Sequence, residues 1–466
     1  MGKFTSKTDG NRTVSPDGYD IYSIHVTLLN GNVVDIKGLV QQIEIVESLH
    51  RSSIQVIMRL YDGTNFLENS HLISGEKVNL KIRRTANTDE TFSKSVDKFD
   101  IEVYIAAIVG HTNPKPGLQA YTLECISQHA MVSNTKSINR SFNGIIGQLV
   151  NNIFTNDLGL VDGRDYDSKN ISDSSDSVKG IYPDLSPLAA LTWLTRNSSN
   201  DGTPYFLYET IQGGLQFKSY NDMIREPLYR SYNDSVFSQN VPNTPGNYKE
   251  LERKILSLNS NLNRSIYDAI DKGAYSSRLH TIDIATKTYK QTQFTYDNNY
   301  KVNANSPFST QTEFDNKKIN TYTSNKEYYI SLNSKAFDKD INYHKPVTNS
   351  LLPKQSYYNN LGFMGLDMEI YGDFNLSVGR KVGIIIPKPD TSQSGIAAGS
   401  NITDKYIGGV YVVSSISHLF SPSDYRCSVG LQKDSLDFDL DSDITIGKDS
   451  NRNSAAVKPR KRRNII

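Results

Sequence analysis

Ile54, Val56, Met58 and Leu60 alternate with Gln55, Arg59 and Tyr61, so an extended backbone sends the first set to one apolar face and the second to another surface. Half-buried strands of this kind recur along the chain. The run Val56-Ile-Met-Arg-Leu-Tyr-Asp-Gly63 has a counterpart in Leu366-Asp-Met-Glu-Ile-Tyr-Gly-Asp373, where Met58, Leu60 and Tyr61 match Met368, Ile370 and Tyr371. Gly75-Glu-Lys-Val-Asn-Leu-Lys-Ile82 then matches Gly379-Arg-Lys-Val-Gly-Ile-Ile-Ile386, with Lys77 and Lys381 on the outward side of each new strand. Gly75 and Gly379 mark sharp turns back into a sheet. A third block pairs Tyr104 to His111 with Tyr411 to His418, and further strands begin near Tyr121 and Tyr425. Four blocks in one order predict a duplicated β-module.

Between the copies the period changes. Ile145, Ile146, Leu149, Val150, Ile153 and Phe154 form one helical stripe, for which Asn143 is the expected cap. Ser186-Pro187 opens a second helix through Leu188, Leu191, Trp193 and Leu194, with the single Trp assigned to its core. Gly213-Gly214 separates two short β-type runs and reads as a hairpin turn. The predicted fold is mainly β with a small α+β part. Its units are a first barrel at 15–132, an α+β domain at 133–225, and a second barrel built from 226–290 and 360–437. An Asn- and Tyr-rich insertion occupies 291–359, and 438–466 forms a tail. The run His280 to Tyr289 is assigned to the first strands of the second barrel.

Composition narrows the function. Lys and Arg total 51 against 50 for Asp and Glu, which argues against a surface built wholly to grip DNA or an anionic membrane. Two cysteines, Cys125 and Cys427, are too few for a disulfide scaffold or a zinc cluster, and both lie in predicted strands as reduced, buried thiols. The N-terminal segment lacks the apolar core of a signal peptide, and no apolar run is long enough to span a bilayer, so neither export nor a membrane anchor is expected.

No catalytic motif emerges. Asp437, Asp439, Asp441 and Asp443 alternate, but Ser442 and Lys448 stand where a calcium loop needs Gly and Glu. The eight histidines include no HExxH pair, and the match of His111 with His418 follows from duplication. Neither a nucleophile elbow nor a phosphate-binding glycine loop occurs. No catalytic residue, cofactor or metal site is assigned. Paired carboxylates of a glycosidase would leave no local motif. The basic end, Lys458, Arg460, Lys461, Arg462 and Arg463, is a candidate contact for a partner.

The order of barrel, α+β domain, interrupted barrel and tail resembles the central baseplate hub of contractile-tailed bacteriophages, and more distantly the hub part of type VI secretion spikes. The passages that carry the likeness are Ser141 to Phe154, Tyr182 to Ile224, Gly372 to Gly379 and Tyr411 to His418. The insertion and the basic tail have no match in that pattern. The resemblance implies two tail-tube-like β-barrels per chain, assembled as a ring-shaped homotrimer that imitates six units. It also implies a non-enzymatic protein of the virion baseplate, assembled in the bacterial cytoplasm. Its partners there are a central spike, the tail tube or its initiator, and the tape-measure and wedge proteins, with DNA only as a transient passenger. In that setting Met58, Tyr61, Gly75, Lys77, Tyr104, His111, Met368, Tyr371, Gly379, Lys381, Tyr411 and His418 are the candidate interface residues. A bore that DNA traverses should not be strongly basic, since cationic walls would retain phosphates. A peptidoglycan-degrading tail enzyme and a glycan- or receptor-binding tail protein are the alternatives.

Overall fold

The computed structural model describes residues 17–85, 97–173, 177–200, 202–234, 252–261, 266–295, 313–314, 317–318, 326–333, 345–362, 364–386, 404 and 406–434. The first module contains β1 (Tyr19–Thr27), β2 (Val33–Asp35), β3 (Val40–Ser48), β4 (Gln55–Asp62), β5 (Lys77–Arg84), β6 (Lys98–Lys115) and β7 (Leu118–Ser127). They are hydrogen-bonded in the order β3-β4-β7-β6-β5-β1-β2. The alternation read from the sequence is realised: Ile54, Val56, Met58 and Leu60 are all buried, while Tyr61 is exposed.

The α+β part follows, with α1 (Gln128–Thr135), β8 (Ile138–Ile145), α2 (Ile146–Asn152), β9 (Ser177–Leu185), α3 (Pro187–Asn197), β10 (Tyr205–Thr210), β11 (Gly214–Ser219) and α4 (Tyr220–Arg225). It has its own core, in which Ile146, Val150, Ile153 and Phe154 meet Leu191, Leu194 and Phe217. Asn143 is not the cap, because β8 pairs with β9 through Ile145 and delays the helix by two residues. Ile145 is therefore exposed. Ser186 does cap α3, its Oγ accepting from the Ala189 N–H at 3.4 Å. Trp193 is 38% exposed and covers the edges of Phe142 and Tyr182 from outside, so it is not a core residue.

The second module contains β12 (Arg230–Asn233), β13 (Ile255–Asn261), β19 (Met364–Tyr371), β20 (Lys381–Ile385), β21 (Gly409–Phe420) and β22 (Tyr425–Lys433). Its pairing order is β13-β19-β22-β21-β20-β12, the order of β3-β4-β7-β6-β5-β1 repeated. Only the last member departs: β12 runs parallel to β20, whereas β1 is antiparallel to β5.

Between β13 and β19 lie β14 (Ser276–Asp283), β15 (Thr288–Thr295), β16 (Glu313–Phe314), β17 (Lys317–Lys318) and β18 (Glu327–Leu332). β14 and β15 do not join the second module. They form a separate sheet in the order β15-β14-β18, under which Leu279, Phe294 and Leu352 make a small core. Alternation identifies a strand but not its neighbour, so the pattern of His280 to Tyr289 predicts strands correctly but places them in the wrong sheet. The stretch 291–359 thus supplies the end of β15, the short strands β16 and β17, β18 and most of the helix Lys345–Leu361.

Candidate assembly interface

The two modules share their irregularities as well as their order. The β3/β4 register slips between Val40 and Gln42, and β13/β19 slips at the equivalent Ile255 and Ser257. β6/β7 slips between Ile105 and Ala107, and β21/β22 between Val413 and Ser415. Gly75 and Gly379 occupy equivalent turns at φ +94° and +82°, and their N–H groups donate to Ile105 and Val413 at 2.8 and 2.9 Å. Bulges and left-handed turns are costly local features that re-aim a strand, so their repetition marks a true duplication.

The modules are joined edge to edge. β21 holds β22 along one side and divides its other side between two partners. Its first half pairs with β20, and its second half, Ser415 to Phe420, pairs antiparallel with Ser48 to Ile43 of β3. Both sheets thereby merge into one of 13 strands. An aromatic cluster seals the seam: Phe99 of β6 lies 4.8 Å from Phe374 and 5.1 Å from His418, and Tyr19 of β1 lies 5.1 Å from Phe420.

Two buried polar groups lock this seam. Glu47 accepts from the Ile211 N–H at 2.7 Å and the Val378 N–H at 3.1 Å, so β3 is tied both to the β10–β11 turn and to the second module. Burial pushes its carboxyl up to about 7, with Glu209 adding to the rise and the two N–H groups and Arg380 opposing it. On the far side Asp373 accepts from Tyr229 and Tyr232 and pairs with Arg230 at 3.0 Å. Arg84 bridges Asp97 at 3.0 Å and Glu252 at 2.5 Å while donating to the Gly372 carbonyl at 2.9 Å.

His418 is fully buried, and its Nδ1 lies 2.8 Å from the Tyr425 hydroxyl. Burial depresses its pKa to about 3, so the ring is neutral in the folded chain. The unfolded chain binds a proton near pH 6.5 that the folded chain refuses. Stability present above about 6.5 should therefore be lost as pH falls toward 3. Denaturant titrations across this range should show the loss in the native chain and a weaker one in His418→Phe.

No family model matches the sequence, and no curated protein sequence matches it. Among solved structures the chain is similar to a tail protein from Neisseria meningitidis MC58, with 10% identity, 90% of this chain and 97% of that one covered, and a TM-score of 0.47. It is likewise similar to the 43 kDa tail protein of prophage MuSo2 from Shewanella oneidensis, at 11% identity, coverage of 89% and 99%, and a TM-score of 0.48. A type VI secretion component of E. coli, described as structurally similar to the T4 tail proteins gp27 and gp5, gives 9% identity, coverage of 90% and 77%, and a TM-score of 0.41.

The residues singled out in the sequence fall into distinct environments. Met58 and Met368 are buried at equivalent positions, Tyr61 is exposed and Tyr371 half-buried. Lys77 pairs with Glu102 at 2.5 Å, whereas Lys381 donates to the Ile224 carbonyl at 2.7 Å. The pairing of Tyr104 with Tyr411 is one residue out of step: Lys77 stands opposite Tyr104 and Lys381 opposite Val412, so Tyr104 corresponds to Val412. Beyond Val109 an additional slip in β6, with Gly110 at φ +68°, takes up that residue, so Thr112 corresponds to Leu419 and His111 falls level with His418. His111 is exposed and His418 is buried under the seam with β3. Lys458, Arg460, Lys461, Arg462 and Arg463, like the aspartates at 437–443, lie outside the described residues. Glu47 escaped sequence reasoning altogether, because nothing local distinguishes an acid that will be buried.

Among the described residues, no group of three or more His, Cys, Asp or Glu side chains could hold a metal ion. No helix among them is long and apolar enough to cross a membrane. Burial drives both thiols up, Cys427 to about 12, so neither is a ready nucleophile. A polar cleft of about 490 Å³ in the α+β part is lined by Lys218, Asp222, Arg225 and Glu226 among others. Lys218 and Glu226 pair at 2.7 Å there, and Asp222 accepts from Ser219 at 2.5 Å.

Proposed function

We propose that the chain is a structural, non-enzymatic hub of a contractile phage-type tail, in which three copies close into a ring of six modules. Such a ring would sit between a six-fold tail tube or its initiator and a three-fold spike, and would let DNA pass. One observation carries this reading: two modules of equal strand order are joined head to tail, each offering a different edge to the other. An interface between unlike edges is heterologous, and repeating it generates a closed ring when the rotation allows. A duplicated chain with this geometry reconciles three-fold and six-fold partners. The virion baseplate is the corresponding location, and the basic segment from Lys458 to Arg463 is available for a tape-measure, wedge or other acidic partner.

Native mass spectrometry of the full chain should give a trimer, and electron micrographs down its axis a six-lobed ring. A protein that stays monomeric at high concentration, alone and with its spike, would overturn the reading.

A further inference from the structure

The separate sheet of β15, β14 and β18 has one covered face and one open face. On the covered side Tyr328 and Ile330 pack against the small core of Leu279, Phe294 and Leu352. Side chains alternate along a strand, so the register sends His280 and Ile282 of β14 to the other side, together with Tyr289 of β15 and Tyr329 of β18. A solvated sheet face is ordinarily polar. This one carries Tyr329 at 66% exposure, Tyr289 at 61% and Ile282 at 47%. Clustered apolar side chains at a surface mark a place of contact.

The two tyrosines are held in place. His280, on the central strand, is stacked on Tyr329 at 4.7 Å and 14° and on Tyr289 at 5.8 Å and 22°. It is only 7% exposed, so the tyrosines cover it from both sides and turn their outer faces to solvent. The Tyr289 hydroxyl lies 2.5 Å from His280 Nδ1, and the Tyr329 hydroxyl donates to Glu327 Oε2 at 2.6 Å. Cross-strand stacking helps to hold the sheet together, but it does not require two large side chains to stay in water. Aromatic side chains fixed at a surface give a large contact area at small entropic cost.

The chemistry of the face selects its ligand. Among the described strand residues on it, the charged pair is Arg278 and Glu327, 3.6 Å apart, so an anionic polymer or a basic peptide meets no unmatched charge. Exposed Gln291, Gln293 and Ser331 supply amide and hydroxyl groups around the tyrosines. Ile282, directly opposite Tyr289, adds an apolar spot. Flat C–H surfaces edged by hydroxyls, with an amide and a methyl group, are the features of an N-acetylated hexose. Tyr289, His280 and Tyr329 cross all three strands, about 10 Å at the usual strand spacing, which suits several linked sugars better than one. We propose that this face binds an extended, neutral chain of N-acetylated hexoses, whose sugar rings stack on the outer faces of Tyr289 and Tyr329. The site belongs to the segment between β13 and β19 and does not depend on the hub reading.

The test titrates the full chain with the hexamer of N-acetylglucosamine in a calorimeter. Binding should saturate with a dissociation constant of about 1 mM or tighter. Tyr289→Ala and Tyr329→Ala should each weaken it about tenfold, while Tyr329→Phe, which keeps the aromatic face, should stay within about threefold. Tyr61→Ala, at an exposed tyrosine of the first module, should leave it unchanged. A second measurement needs no variant: the hexamer should protect Tyr289 and Tyr329 of the native chain from nitration by tetranitromethane, but not the exposed Tyr61 and Tyr267. A hexamer that binds without protecting either tyrosine, or that binds both alanine variants as well as the native chain, would overturn the site. Tighter binding of heparin, a sulfated polymer, would overturn the neutral class. Failure to saturate would overturn the proposal in favour of a protein partner for this face. None of these outcomes bears on trimer formation, so the site and the hub reading fail separately.

Discussion

Replacing Glu47 by alanine should cost about 4 kcal/mol near pH 5, because it strands two N–H donors at a three-way seam, each worth about 1–3 kcal/mol when orphaned. The donors belong to Ile211 and Val378. The sign of the pH dependence follows from the raised pKa. The folded chain keeps the Glu47 proton up to about pH 7, whereas the unfolded chain releases it near 4.5. The contribution is complete below about 4.5 and is lost as pH rises to about 7, a change of roughly 3 kcal/mol by linkage. The cost of Glu47→Ala should accordingly be larger at pH 5 than at pH 8. Urea unfolding followed by tyrosine and tryptophan fluorescence at both values checks this, and an equal cost at the two would show that the carboxyl titrates normally.

Gly372→Ala should also be strongly destabilising, at about 3 kcal/mol or more, because it forces atoms into a packed core. A Cβ at this position would overlap Cγ, Cδ1 and Cε1 of Tyr425. That ring has nowhere to go. It is fully buried, stacked on Phe420 at 4.2 Å and 12°, and held by its hydroxyl at His418. The Gly372 N–H also donates to the Tyr425 carbonyl at 3.0 Å, so the backbone cannot retreat without losing that bond. The melting temperature should fall sharply. Combining Gly372→Ala with Tyr425→Ala should cost less than the sum of the two, since the second removes the obstacle.

The legible parts of the fold were those written in local pattern. Met58 and Met368 lie on strands whose alternation is complete, and Gly75 and Gly379 sit at turns that demand left-handed backbone, so the duplication could be read directly. Ser186-Pro187 is a capping signal of the same local kind. Longer-range choices left no such trace. Nothing in Ser276 to Thr295 says that these strands prefer β18 to the second module, because partner choice depends on what else is nearby in space. The interface shows the same division. Tyr104 and Tyr411 match by identity yet stand one residue out of step in their sheets, because register is set by strand pairing and not by residue type.

The matched slips at Val40 and Ile255, and at Ile105 and Val413, bear on how this protein can change over time. A slip sets the local bend of a strand, and it depends on residue count more than on residue type. Point substitutions leave the bend in place, which is why the two halves could drift until only a handful of identities survive. Loss or gain of one residue at these matched slips would instead bend one half differently from the other, and the six modules of the proposed ring would no longer be equivalent.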